Sequence, residues 1–589
     1  MSKRCFRLAN RNPRPESPAS AAFAVAGVGR ICSCGSWAEQ IPPSCSRARI
    51  PTSAKIALVG DPGEKARSPA DVRNDSSIKY SMKFRDLLQN VEVSLLSGDA
   101  EISSLEYDSR KIQPGSLFIA MRGETTDGNR YIAQAVENGA VAVVSDNPEF
   151  KPHKGLAFAA VSHGRRALAQ ISANFYGNPA KKLKVTGVTG TNGKTTTTSL
   201  IESFLKTSGR TSALLGTIEY HIGERVLPSP HTTPESLEIH EFLAEAASKR
   251  ATEMVMEVSS HALEQGRVWG IAYDVAVFTN LTRDHLDYHK TMENYFEAKA
   301  MLFRGCGTPP PRVSIINVDD EFGRRLLEGS SRAGSTVIRY SIRESGDCRA
   351  EDIEYGATGT KFRLRYGGVT INCRSQLVGE VNVYNVMAAA LAALSRGCSV
   401  TEIETAVEKF KRVSGRFEQV ASGQPFTVIV DYAHTDDALR NLIRIARNML
   451  TAQKAKGRIV TLFGCGGDRD RTKRPLMGRA AGEGSDFVVL TSDNPRSEDP
   501  MAIINEARVG LEQTRARFTV EPDRAKAIRI AVSEAQPGDI VLIAGKGHEK
   551  YQITREGTFP FDDVEVARSA LFEIGFNGQQ ISNKGVPVA

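Results

Sequence analysis

The stretch LKVTGVTGTNGKTTTTSLIESFLKTSG, residues 183–209, limits the possible folds more than any other part of the chain. A short β-branched run, a turn crowded with glycine and a longer segment with apolar residues at helical spacing read as strand, loop and helix. Such a unit needs parallel neighbours for its strand and an apolar face for its helix, which predicts a layered α/β protein. The same alternation recurs downstream. EMVMEV, VAVFTN, FTVIVDYAH, RIVTLFG and DIVLIAG read as buried strands, and ALRNLIRIARNML as a helix between two of them.

The loop of that unit is a candidate phosphate cradle made of Gly190, Thr191, Asn192, Gly193, Lys194, Thr195 and Thr196. Glycines let backbone N–H groups approach phosphate oxygens, and the helix start adds a positive dipole end. Lys194 neutralises charge and Thr195 can ligate magnesium. The spacing departs from GxxxxGK[ST], because Val188 stands where the first glycine belongs, with Gly187 and Gly190 on either side.

With 589 residues the chain has room for about three or four domains. Three blocks are expected, 82–178, 179–414 and 415–589, behind an extension at 1–81. That extension, rich in Arg, Ser, Pro and Ala, reads as a disordered tail, as sequence upstream of the true start, or as an organelle transit peptide. It holds 13 Lys/Arg against 6 Asp/Glu, so +7 of the net +8 lies there and only +1 in residues 82–589. The charge therefore implies no nucleic-acid groove. No uninterrupted apolar run of about 18 residues is present, which predicts no membrane helix. Nine cysteines with no CxxC pair read as free thiols in a reducing compartment.

Several side chains stand where chemistry is expected. Glu257 ends EMVMEV and His285 follows VAVFTN, so both belong at the C-terminal edge of a parallel sheet, where α/β sheets bind ligands. Both are hard ligands suited to magnesium. A surface carboxylate and a loop histidine, with Asp284, Asp287 and His289 nearby, are the plainer alternatives. Lys299 in YFEAKAMLF reads, from the residues alone, as a helical lysine facing water. Arg496 in TSDNPRSEDP follows the strand-like FVVL, and a planar guanidinium there can grip a carboxylate with two parallel hydrogen bonds.

GTNGKTT, MEVSSHALEQGRV, NLTRDHLDYH, VDYAHTDDAL, GCGGDRDRTKRP, DNPR and GKGHE occur in the order of the Mur ligase family, which the chain resembles over about residues 82–580. DNPR resembles the diaminopimelate-adding type, whereas lysine-adding relatives lack the arginine. The resemblance implies an α/β fold of three domains: an N-terminal UDP-substrate domain (82–178), a central P-loop ATPase-type parallel sheet (179–414) and a C-terminal Rossmann-like amino-acid domain (415–589). It implies ATP and Mg2+ as cofactors, with UDP-N-acetylmuramoyl-L-alanyl-D-glutamate and meso-diaminopimelate as substrates. A carboxylate would be activated as an acyl phosphate and attacked by an amine.

By the same resemblance, Lys194, Glu257, His285 and Lys299 are the catalytic set. Thr195, Glu257, His285 and Lys299 would hold the metal, Lys299 as a carbamate. Asn385, Arg416 and Asp431 join the phosphate loop around ATP. Asp108, Ser109 and Arg110 match the uridine-nucleotide motif, although Asn129 stands where a histidine is common. Thr232, Thr233, Ser259, Gln265 and Arg267 match positions that hold the muramoyl dipeptide. Arg469, Asp493, Asn494, Pro495, Arg496, Gly545 and Glu549 match the amino-acid site, with Arg474 an alternative to Arg469. Asp436 replaces a proline usual in the YAHTPDAL motif. The expected setting is a cytoplasmic monomer that binds no nucleic acid and enters no membrane. The same ligase with L-lysine as acceptor and a plastid-type, non-catalytic component of a transcription complex remain alternatives.

Overall fold

The computed structural model describes residues 80–576 except 124–125, 151, 153–154, 333, 344, 357 and 453–455. The expectation for 1–81 thus falls almost wholly outside the described residues. The five cysteines within them are buried and form no disulfide. No helix among the described residues is long and apolar enough to cross a membrane.

Among the described residues three large sheets follow one another along the chain, beside two two-stranded ones. The first is five-stranded, in the order Val93–Ser97, Ala157–Val161, Ala140–Ser145, Ser116–Ala120, Ser104–Glu106, parallel except at Val93–Ser97. The central sheet has 11 strands. In its parallel part Lys184–Thr189 lies between Glu253–Glu257 and Val275–Phe278, and antiparallel hairpins extend both edges. The third sheet has six strands. Thr427–Asp431, Ile540–Ala544, Ile459–Cys465, Phe487–Ser492 and Arg517–Val520 run parallel in that order, and Glu418–Val420 pairs antiparallel on one edge.

The near-continuous apolar character of these strands follows from cover on both faces. In the central sheet Val188, Val255, Val277 and Ile315 pack against Val386 and Met387 of helix Glu380–Ser395. The alternate residues Val185, Met256, Phe278 and Ile316 pack on the other face with Phe242 and Phe303. The third sheet divides likewise, with Ile429, Phe463, Leu490 and Leu542 on one side and Val428, Leu462, Val489 and Val541 on the other.

Strand order is what creates the site. From Lys184–Thr189 the chain crosses to Ser212–Leu215 on one side and later places Val275–Phe278 on the other, opening a crevice beyond the strand ends. In the third sheet the late strand Ile540–Ala544 inserts between Thr427–Asp431 and Ile459–Cys465. Loops far apart in sequence thereby meet at one edge.

Candidate active site

Helix Lys194–Thr207 begins directly from the phosphate loop. Gly193 has φ +87 and packs so closely on Asn385 Oδ1 that a Cβ would collide with it. Only glycine meets both conditions. Lys194 Nζ donates to the carbonyls of Gly190 (3.0 Å) and Thr191 (2.9 Å), and burial lowers its pKa. Thr195 Oγ1 donates to Glu257 Oε2 at 3.1 Å. Glu257 is fully buried and also accepts from Thr217 N (2.7 Å) and Thr217 Oγ1 (2.9 Å), so it is no surface carboxylate.

His285 takes a left-handed backbone conformation, φ +54, at the start of the short helix Leu286–His289. Desolvation within the cleft lowers its pKa to about 3 despite Asp284 beside it. Burial would also raise the Asp284 pKa, but Lys473 and the neighbouring histidines hold it well below the usual carboxylate range. Lys473 Nζ lies 3.4 Å from Asp284 Oδ1 and His434 Nε2 lies 3.6 Å from Oδ2, both reaching across from the third sheet. Asp287 is exposed, and His289 is buried against Ser260 Oγ and the Tyr295 ring.

Lys299 corrects the plain reading of its helix. It is 2 % exposed, donates to the Gly190 carbonyl at 2.9 Å, and has its ammonium 4.6 Å from the centre of the Tyr295 ring. Helix Met292–Arg304 is covered on more than one side, and desolvation pushes the Lys299 pKa well down. Among the described residues no three His, Cys, Asp or Glu side chains converge as a ready-made metal cluster. The hard-oxygen pair of Thr195 and Glu257, with a neutral His285 lining the same cleft, nevertheless suits magnesium.

A cleft of about 740 Å3 is lined by Thr191–Thr196, Glu257, His285, Asn385, Arg416 and Asp431. The nucleotide candidates of two sheets therefore share one cavity. Arg416 Nη2 donates to Thr195 Oγ1 at 3.3 Å, and its Nε is buried without a hydrogen-bond partner. Asp431 accepts from Phe417 N (2.7 Å) and Ala433 N (2.8 Å), and burial raises its pKa. Asp436 opens helix Asp436–Ala452, where an acid suits the dipole as well as proline suits the geometry.

Two further groups extend from this cleft, which Thr232 also lines. Thr232 Oγ1 is 3.1 Å from Thr217 Oγ1, and Thr233 Oγ1 donates to the Glu257 carbonyl at 2.8 Å. Ser259 N donates to Thr233 Oγ1, and Arg267 donates to the Thr233 carbonyl and to Gln265 Oε1. Thr233, Ser259, Gln265 and Arg267 form one network against strand Glu253–Glu257, and Thr232 joins it through Thr217 and Glu257. Ser109 is engaged elsewhere, donating to Gln134 Oε1 at 3.0 Å, while Arg110 pairs with Asp108 at the surface. Asn129 is held by Asp127, Asp146 and Ser145.

At the edge of the third sheet, Arg496 (φ +53) follows strand Phe487–Ser492. Its Nη1 donates to Gly467 O (2.8 Å) and more weakly to Asn494 O (3.4 Å), and it pairs with no carboxylate among the described residues. Burial and the nearby Arg469 both lower its pKa. Arg469 is exposed and, among the described residues, bonds only the Asp468 carbonyl, at 3.1 Å. Arg474, the alternative, is fully buried and committed to Glu498 and Glu506. Gly545 N donates to the Asp431 carbonyl at 3.0 Å, and Pro495 is buried in the turn beside them. Asn494 Nδ2 donates to Glu549 Oε2 at 2.9 Å, and buried Asp493 Oδ1 accepts no hydrogen bond. Two side chains missed in the sequence hold this edge together. Lys546 reaches Asp493, Asn494 and Glu549, and Arg524 donates to the carbonyls of Ser492 and Ala544 while pairing with Asp563.

A phosphate loop facing, across one cleft, the ligand edge of a second parallel sheet is the arrangement expected of a nucleotide-driven ligase. Matches to the Mur ligase family, catalytic domain (101–176), the Mur ligase middle domain (188–393) and the Mur ligase, glutamate ligase domain (415–547) agree with that class. The chain belongs to the Mur ligase family. It is 49% identical over 82% of its length to the UDP-N-acetylmuramoyl-L-alanyl-D-glutamate--2,6-diaminopimelate ligase of Solibacter usitatus, covering 95% of that chain. To the enzyme of the same name from Syntrophomonas wolfei it is 44% identical, over 83% of this chain and 99% of the other. A solved structure of a ligase of that name superposes with a TM-score of 0.57 at 34% identity, covering 80% of this chain and 95% of that one.

Proposed function

We propose that this chain is an ATP-dependent amide ligase that joins meso-diaminopimelate to the D-glutamate of UDP-N-acetylmuramoyl-L-alanyl-D-glutamate in the cytoplasm. The observation that carries the reading is the third-sheet edge. There the guanidinium of Arg496, which pairs with no carboxylate among the described residues, stands beside Arg469, and the buried Asp493, held by Lys546, lies on the same edge. Cationic and acidic side chains at one sheet edge match the carboxylate and ammonium of an amino-acid centre. Lysine, which lacks the far carboxylate, leaves the guanidinium unmatched.

The reaction has two steps. The substrate carboxylate takes the γ-phosphoryl group of ATP to give an acyl phosphate and ADP. The amine then attacks the acyl carbon, and phosphate departs. Lys194 turns from the loop carbonyls to the phosphate oxygens, with the Gly190–Thr196 amides and Arg416 beside it. Asn385 and Asp431 bound the nucleoside end. Thr232, Thr233, Ser259, Gln265 and Arg267 orient the muramoyl dipeptide, and Ser109 serves the uridine end. Thr195, Glu257, His285 and Lys299 as its carbamate would hold magnesium, which supplies Lewis-acid polarisation of phosphoryl oxygens. Burial lowers the Lys299 pKa and so favours the neutral amine, the form that adds to carbon dioxide. Glu549, Asp493 and Gly545 take the distal amino-acid centre with Arg496 and Arg469.

The test is phosphate release together with product mass, using ATP, magnesium and the UDP-dipeptide with meso-diaminopimelate or L-lysine. The expected product contains diaminopimelate alone. Equal use of lysine sinks the specificity, ligation of neither amine sinks the enzyme reading, and ATP turnover without an amine points to a hydrolase.

A further inference from the structure

Lys546 has more acceptors around its ammonium than protons to give. The side chain is fully buried. Nζ donates to Asn494 Oδ1 at 2.7 Å and to the Tyr551 carbonyl at 2.8 Å. It also lies 3.3 Å from Asp493 Oδ1 and 3.5 Å from Glu549 Oε2. An ammonium carries three protons, so two go to neutral oxygens and one is left for two carboxylates.

Asp493 and Glu549 therefore share a single proton of that ammonium. Asp493 Oδ1 is buried and accepts no hydrogen bond, although the ion pair draws it toward Lys546. Glu549 Oε2 is held by Asn494 Nδ2, and among the described residues Oε1 has only a long contact, 3.5 Å, from the Tyr432 hydroxyl. Buried carboxylates tolerate this only when a further cation arrives or water fills the gap. The same ammonium ties three segments together, the DNPR turn, the GKGHE loop and the hairpin Tyr551–Thr554 with Gly557–Pro560.

We propose that Lys546 is a positioning residue for the distal amino group of the amino-acid substrate. It does not touch the substrate. It fixes Asp493 and Glu549 so that their unspent oxygens face a second ammonium, and it neutralises just one of the two charges. The proposal rests on the reading of this pocket as the diaminopimelate site.

Lys546→Met and Lys546→Gln in the full chain test it, the glutamine still able to donate to Asn494 Oδ1 and the Tyr551 carbonyl. The probes are meso-diaminopimelate as substrate and L-2-aminopimelate, which keeps the far carboxylate but lacks the far amine, as a competing ligand. Both variants should raise KM for diaminopimelate about ten-fold or more, the scale of one charge-assisted hydrogen bond. The inhibition constant of aminopimelate and KM for ATP should stay within about two-fold. An equal loss for both amino acids reduces Lys546 to a loop support and overturns the proposal, as does no change for either. Should the methionine variant fail to fold, the glutamine variant gives the same comparison. A wild-type chain that ligates no diaminopimelate fails at the reading of the pocket instead, a result visible before any variant is made.

Discussion

Replacing Arg496 by alanine separates the proposed amino-acid site from the rest of the machinery. Arg496 spends Nη1 on the Gly467 carbonyl, and among the described residues its Nε and Nη2 edge has no hydrogen-bond acceptor. Its lowered pKa reflects burial and the Arg469 charge, the condition of a cation awaiting an anion. Two charge-assisted hydrogen bonds at about 1.5–3 kcal/mol each bound the gain at about 3–6 kcal/mol. The side chain is half-buried and Arg469 remains in the variant, so the lower end applies, about 3 kcal/mol or roughly 150-fold. Backbone strain does not confuse the outcome, because φ is +53 and alanine bears the same left-handed cost as arginine. In steady-state phosphate release, kcat/KM for meso-diaminopimelate should fall roughly 150-fold while KM for ATP moves less than about two-fold. Arg496→Lys keeps the charge without the fork and should lose about ten-fold. A loss under about three-fold for Arg496→Ala, or an equal loss when ATP is the varied substrate, refutes the assignment.

Lys299→Met, which removes a buried amine, should melt no lower than wild type yet ligate about a hundred-fold more slowly; activity within about three-fold of wild type excludes Lys299 from the metal site. His240 is buried with neither ring nitrogen bonded, and desolvation lowers its pKa to about 4. Its folded pKa lies below the unfolded value of about 6.5, so its neutral form costs nothing above that pH. Stability drains as pH falls from about 6.5 to about 4, by about 3 kcal/mol in all. Urea denaturation of His240→Leu across that window should show a flatter pH dependence, and an unchanged slope contradicts the burial argument. Arg524 and Asp563 form a fully buried pair at 2.7 Å, so Arg524→Met should cost about 3–5 kcal/mol while adding Asp563→Leu recovers most of it. A single-variant loss under about 1 kcal/mol in urea denaturation counts against the pairing.

Legibility followed the range of the interactions. The strand–loop–helix around Gly193 and Lys194 was readable because glycine, lysine and threonine act there through adjacent backbone. Glu257 was placed at its strand end by five consecutive residues, Glu253–Glu257. Lys299 was misjudged on the residues alone because a helical lysine reads as solvated unless other elements cover it. Arg469 and Arg474 lie in one segment and differ only in partners, Glu498 and Glu506 having claimed the second. Nothing in the local sequence distinguishes them. Lys546 and Arg524 escaped notice for the same reason, since their acceptors lie on other loops.

By itself the sequence determined the α/β class, the phosphate loop and the kinds of side chain available to the site, because apolar periodicity and glycine geometry act over a few residues. The tertiary structure alone decided which charges are paired and which are left open. Strand Ile540–Ala544 inserts between Thr427–Asp431 and Ile459–Cys465, bringing Asp431, Arg469, Asp493, Arg496 and Glu549 to one sheet edge. Coulomb and hydrogen-bond partners are chosen by distance in space, and that distance is set by strand order, which no local stretch of the chain encodes.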